Sequence, residues 1–186
     1  MSEFESIFNR ITSDARYRAN LDWGEPREGH PEGTIRAHIE EMEGNLESLR
    51  PKLTSDEDWK LKILIHTHDT FKPDAQEGIA IAHPSSHASR AKAFLAEFTN
   101  DADLLDIVQY HDEPFALYRQ QQHRGKFNQH RFDQLLNRIE DWNLYHAFLI
   151  IDGSTAGKSR EALEWWFSKV RGRIDSTFSV ADIIRV

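Results

Sequence analysis

His66-Thr67-His68-Asp69-Thr70-Phe71-Lys72 ends an apolar run and gathers imidazole, carboxylate and ammonium groups into one short stretch. Upstream, Thr54 and Glu57 carry a capping-box signature. Leu61, Leu64, Ile65 and His68 then share one face of the helix that follows, until Pro73 stops it. Neighbouring residues on a helix diverge by about 100°, so His68 and Asp69 can reach one divalent cation from two sides, or Asp69 can lean toward a second. A neutral imidazole nitrogen and a carboxylate oxygen both suit divalent first-row metals. The alternative is a helix that simply ends in polar residues, with Lys72 complementing the negative end of its dipole.

Working outward, the rest of the chain also has helical periodicity. Phe4, Ile7, Phe8 and Ile11 mark a first amphipathic helix, and the Gly/Pro-rich stretch 19–33 reads as a loop. Ile35, Ile39, Met42, Leu46 and Leu49 mark a second helix that ends at Pro51, with His38 on the apolar stripe. Ser86 suits the cap of a helix carrying His87, Ala91, Phe94, Leu95 and Phe98, and a further helix carries Leu104, Ile107, Val108 and His111. The polar stretch 119–131 reads as a loop or mobile lid. One more helix, with Leu135, Ile139, Trp142, His146 and Leu149 in phase, delivers Asp152 at the end of an apolar run. Leu163, Trp166, Phe167 and Val170 form the last helix, and the tail beyond Ile174 packs back through Phe178, Ile183 and Ile184. The expected fold is all-α, a compact helical bundle in one domain over 1–186, with its core at about 28–155.

Composition narrows the function. The formal charge is −8, from 23 basic and 31 acidic residues, which gives no global field for gripping a nucleic-acid backbone. A small anionic substrate drawn in by metal charge fits better. No apolar run approaches the length of a membrane helix and no signal-peptide pattern opens the chain, so a cytoplasmic protein without membrane contact is expected. Nothing in the sequence points to a particular oligomeric state. The chain has no cysteine and ten histidines. Any metal must therefore be held by imidazoles and carboxylates, which favours Mn, Fe, Co, Ni or Mg.

Singly, each inward histidine reads as a core residue satisfied by a hydrogen bond. Together, His38, His68, His87 and His111 would each need a neutral partner while Asp69 and Asp152 are buried beside them. One or two cations satisfy all six. His83 competes with His87, which is in phase with the apolar face of its helix, whereas His83 precedes a proline. His66 falls on another face and His146 reads as a core histidine.

The order His38, His68-Asp69, Asp152 resembles the HD-domain superfamily of metal-dependent phosphohydrolases. His30-Pro31-Glu32-Gly33 before His38 looks like the opening of such a domain, and His68-Asp69-Thr70-Phe71-Lys72 matches the HDxxK form of two-metal members. The resemblance covers roughly 28–155 and implies an all-helical fold. It puts His38, His68, Asp69 and Asp152 on one metal, with Asp69 bridging to a second held by His87 and His111. Two cations about 3.5–4 Å apart activate a shared water for attack on phosphorus. Asp69 and Lys72 would then carry the chemistry, with Lys72, His30, Arg36 and Arg90 toward substrate and Arg119 a further cation. His111 is followed by Asp112-Glu113-Pro114-Phe115, without the Gly-Tyr-Pro loop of cyclic dinucleotide phosphodiesterases.

The same six ligands occur in diiron oxygenases that cleave a small polyol or phosphonate, so this activity stays open beside the hydrolase. A non-enzymatic metal- or nucleotide-binding regulatory module is the third possibility. Asp152-Gly153-Ser154-Thr155-Ala156-Gly157-Lys158-Ser159 looks superficially like a phosphate-binding loop, but it is one residue short between its glycines and lacks strands to build the sheet.

Overall fold

Ser2, Thr54 and Ser86 each accept a hydrogen bond from the backbone N–H three residues on, at Glu5, Glu57 and Ser89, and each opens a helix. At Ser2 and Thr54 the glutamate returns the bond and completes a capping box. The computed structural model describes residues 2–185, and among them the fold is all-α. The helices are α1 (Glu3–Ser13), α2 (Ala15–Asn20), α3 (Ile35–Leu49), α4 (Ser55–Thr67) and α5 (His87–Leu95). They continue as α6 (Ala102–Tyr110), α7 (Glu113–Arg124), α8 (Gln129–Arg138), α9 (Trp142–Gly153) and α10 (Glu161–Val170).

Two helices form the centre. Every residue of α4 from Ile63 to Thr67 is buried, as is every residue of α9 from Leu144 to Ile151. A helix apolar on all sides must be sheathed by others. α1, α3 and α6 pack on α4, while α3, α4 and α10 pack on α9. Fully burying a leucine or isoleucine contributes about 1.5–3 kcal/mol, so Leu61, Ile63, Leu64 and Ile65 anchor the segment that leads into His68. The core is continuous from Ile7 to Ile183 and includes Phe178 of the tail. No helix among the described residues is long and apolar enough to cross a membrane.

Three local expectations are corrected. The stretch 119–131 is not a continuous loop: it contains the end of α7, a short connection over 125–128 and the start of α8. Pro114 sits in the first turn of α7, where its missing N–H would have had no helical partner, so it opens the helix rather than breaking the chain. Gly125, at φ +67, ends α7, and Asn128 caps α8 by accepting from the N–H of Arg131. The single helix expected from Leu135 to Leu149 is two, because Asp141 accepts from the N–H of Leu144 at 2.8 Å and starts α9 afresh. α2 was not expected. Asp14 ends α1 and caps α2, which buries Tyr17.

Candidate metal centre

His68 and His111 sit at the C-terminal ends of α4 and α6, and each is followed by an aspartate. Each imidazole turns back on its own helix. Nδ1 of His68 donates to the carbonyl of Ile65 at 3.0 Å, and Nδ1 of His111 donates to that of Val108 at 2.8 Å. The last carbonyls of a helix lack an intrahelical partner, so this bond is locally favoured. It places a proton on Nδ1 and turns Nε2 of each ring toward the neighbouring ligand-type groups. His38 differs: its Nε2 donates to Oδ1 of Asp152 at 3.0 Å, and its Nδ1 lies 3.0 Å from Oε1 of Glu32 as a charge contact without a hydrogen bond.

These side chains meet in two adjoining groups. In one, His38, His68 and Asp152 converge, with Nε2 of His68 3.9 Å from Oδ1 of Asp152. In the other, Nε2 of His87 and Nε2 of His111 lie 3.2 Å apart, and each is 3.7 Å from Oδ1 of Asp69. Asp69 joins the groups, because its Oδ2 is 3.4 Å from Nε2 of His68. Donors bound to one cation at about 2.0–2.2 Å stand roughly 3–3.5 Å from each other, close to these spacings. His30, Glu32 and His38 form a third cluster of ligand-type atoms alongside.

The donor set fits a divalent cation on independent grounds. Nε2 of His68 and Oδ1 of Asp69 are buried and have no hydrogen-bond partner among the described residues. Orphaned buried lone pairs are costly, and a cation satisfies them together. Positive charge is already drawn to the carboxylates: Lys72 pairs with Oδ2 of Asp69, and Nζ of Lys158 lies 2.6 Å from Oδ1 of Asp152. Burial works against both carboxylate charges. Lys72 and His68 outweigh it at Asp69, and Lys158 and His38 at Asp152, holding both well below the usual range. Burial also opposes charge on His38 and His111, yet Asp152 and Glu32 raise the former to about 9, and Asp112 and Asp69 raise the latter to about 9. His68, enclosed on all sides, is lowered by burial.

The other expected site residues are placed as follows. His83 is exposed, accepts from the N–H of Ser85 at 3.1 Å, and lies outside both ligand groups, whereas His87 is within one. Arg36 is turned to the surface and pairs with Asp22 at 2.8 Å, and Arg90 is exposed on α5. Neither lines the cavity described below. His30 donates or accepts through Nδ1 to Glu32 at 2.8 Å and stacks edge-on near His38. His66 is bound by Tyr17 and Glu43, and His146 accepts from the indole N–H of Trp166 at 3.2 Å.

Sequence reasoning missed three participants. Glu32, with a side chain 3% exposed, hydrogen-bonds His30 and brings its charge within 3.0 Å of Nδ1 of His38. Asp112 places Oδ2 3.2 Å from Nε2 of His87, and its signal was present, since His111-Asp112 repeats the His68-Asp69 dipeptide at another helix end. Lys158 arrives from the loop after α9.

A cavity of about 1100 Å³ adjoins this centre through His87, Lys72 and Asp112, and Trp23, Arg27, Ile79, Ile81, Arg119 and Arg131 are also among its lining residues. The chain matches no protein-family model, no curated protein and no solved structure.

Proposed function

We propose that this protein is an HD-type, metal-dependent phosphohydrolase that acts on a small phosphorylated metabolite or nucleotide. The observation that carries the reading is the pair of adjoining ligand groups, six side chains drawn from five helices or their ends, beside a cavity large enough for a nucleotide-sized ligand. Two divalent cations, when bound, lower the pKa of a shared water and stabilise charge on phosphoryl oxygens. The protein's own groups complete the site. Arg119 lines the cavity with no carboxylate partner among the described residues and is available to a phosphate, while Lys72 lines it paired with Asp69 and adds positive charge there. Trp23, Ile79 and Ile81 offer apolar surface to the rest of the substrate. Glu32 sets a buried negative charge beside Nδ1 of His38, on the side of the ring away from Asp152.

The test is elemental analysis of protein purified without chelator or metal resin. It is joined to anaerobic assays of phosphomonoesters and nucleotides with Mn, Co or Mg. Near two equivalents of metal and phosphate release, both lost in the His68→Ala/Asp69→Ala double variant, are expected. Bound iron with turnover that requires oxygen would replace the hydrolase by the oxygenase. No metal after reconstitution would overturn the proposal.

A further inference from the structure

The loop between α9 and α10, buried at Ser154 and Thr155 and exposed at Ala156, Gly157 and Ser159, is fastened at several points. The guanidinium of Arg160 donates to the carbonyls of Gly153, Ser154, Thr155 and Lys158 at 2.7–3.1 Å. The N–H of Ala156 donates to Glu41 at 2.9 Å. Gly157, at φ +76, lies so close to Pro31 that a Cβ would come within 2.6 Å of the proline ring. This frame delivers one side chain to the site: Nζ of Lys158, 2.6 Å from Oδ1 of Asp152.

The two lysines differ in which oxygen they cover. Lys72 pairs with Oδ2 of Asp69, and Oδ1, the oxygen that faces His87 and His111, stays without a hydrogen-bond partner. Lys158 instead lies on Oδ1 of Asp152, the same oxygen that faces Nε2 of His38 at 3.0 Å and Nε2 of His68 at 3.9 Å. A cation can therefore enter the Asp69–His87–His111 group without displacing a lysine, whereas the His38–His68–Asp152 group must release one.

We infer that Lys158 is a built-in counter-cation of the His38–His68–Asp152 group, so that the two groups load divalent metal unequally and the second load requires the Lys158 ammonium to leave Asp152. The inference rests on the metal-centre reading. Because the loop is pinned by Arg160, Glu41 and Pro31, the release is a rotation of the lysine side chain and not a movement of the loop.

The experiment is calorimetric titration of chelator-stripped protein with Mn²⁺, alongside the electron paramagnetic resonance signal of free Mn²⁺. Wild type should show one tight and one weaker step. In Lys158→Met the weaker step should tighten by at least about tenfold, since a like charge a few ångströms away has been removed, while the tight step changes by less than about threefold. Lys158→Arg keeps the charge and should keep the weaker step weak, which a purely structural role would not predict. Lys158→Gln carries the same expectation as the methionine variant, should that one fold poorly. Two steps in wild type with the weaker unchanged or loosened in the neutral variants would overturn this inference alone, as would equal tightening of both steps. No Mn²⁺ bound by wild type would overturn the inference and the metal-centre reading together.

Discussion

Glu32 is the residue whose neutralisation tests the geometry of the site most directly. Its side chain is 3% exposed, and its Oε1 lies 2.8 Å from Nδ1 of His30 and 3.0 Å from Nδ1 of His38. Burial alone would raise its pKa, but His38 and His30 outweigh burial and lower it from 4.5 to about 2. At 1.36 kcal/mol per pKa unit, that fall corresponds to about 3 kcal/mol of stability. The sign follows from linkage: the contribution is present above pH 4.5 and is lost as pH falls from 4.5 toward 2. Glu32→Gln keeps the shape and removes the charge, so at pH 7 the metal-free variant should be less stable by about 2–3 kcal/mol. For a chain of this size, 1 kcal/mol moves Tm by about 2–4 °C, which predicts a fall of about 4–12 °C. Thermal unfolding followed by circular dichroism at pH 7 and pH 4 measures it, and the gap between wild type and variant should narrow at the lower pH. Loss of the partner of His38 should also weaken metal binding about 10- to 100-fold. A Tm within 1 °C of wild type at pH 7, with unchanged metal affinity, would refute the reasoning.

His146 is 1% exposed and burial lowers its pKa to about 4, so the folded protein keeps it neutral while the unfolded chain takes up a proton below 6.5. Stability should fall by about 3 kcal/mol as pH drops from 6.5 to 4, and His146→Gln should flatten that part of a Tm-against-pH curve. Mn²⁺ at about 100 times its Kd should raise Tm by roughly 5–11 °C per occupied site in a thermal-shift assay, and Asp69→Asn, which alters the carboxylate shared by both groups, should abolish most of the rise. Arg160→Ala removes five hydrogen bonds to carbonyls of the α9–α10 loop and of Ile184 in the tail. It should cost about 3–5 kcal/mol in chemical denaturation and increase hydrogen exchange at 153–158.

What the sequence by itself determined is the set of elements whose cause is local. The capping boxes, the apolar phase of α3, α4, α5 and α6, and the inward direction of His38, His68, His87 and His111 depend on residues within one or two helical turns, so spacing alone exposes them. The choice of His87 over His83 rested on the same phase, and the structure groups His87 with Asp69 and His111. The errors fell where two local signals competed. The polar composition of 119–131 suggested a loop although polar residues also fill exposed helix faces, and the shared apolar phase of Leu135, Ile139 and Trp142 concealed the cap at Asp141. Tertiary structure decided the rest. Glu32, Asp112 and Lys158 lie in loops or at helix ends, where no periodicity marks a side chain's direction. Glu32 meets His38 because the 23–33 loop folds over the start of α3, where the N–H groups of Ile35 and Arg36 donate to the carbonyls of Trp23 and Leu21. Lys158 reaches Asp152 only because Arg160 gathers the carbonyls of its loop and Gly157 lets that loop approach Pro31. Helical phase is a property of neighbours in sequence. The partner of a buried charge is set by which segments the core brings together.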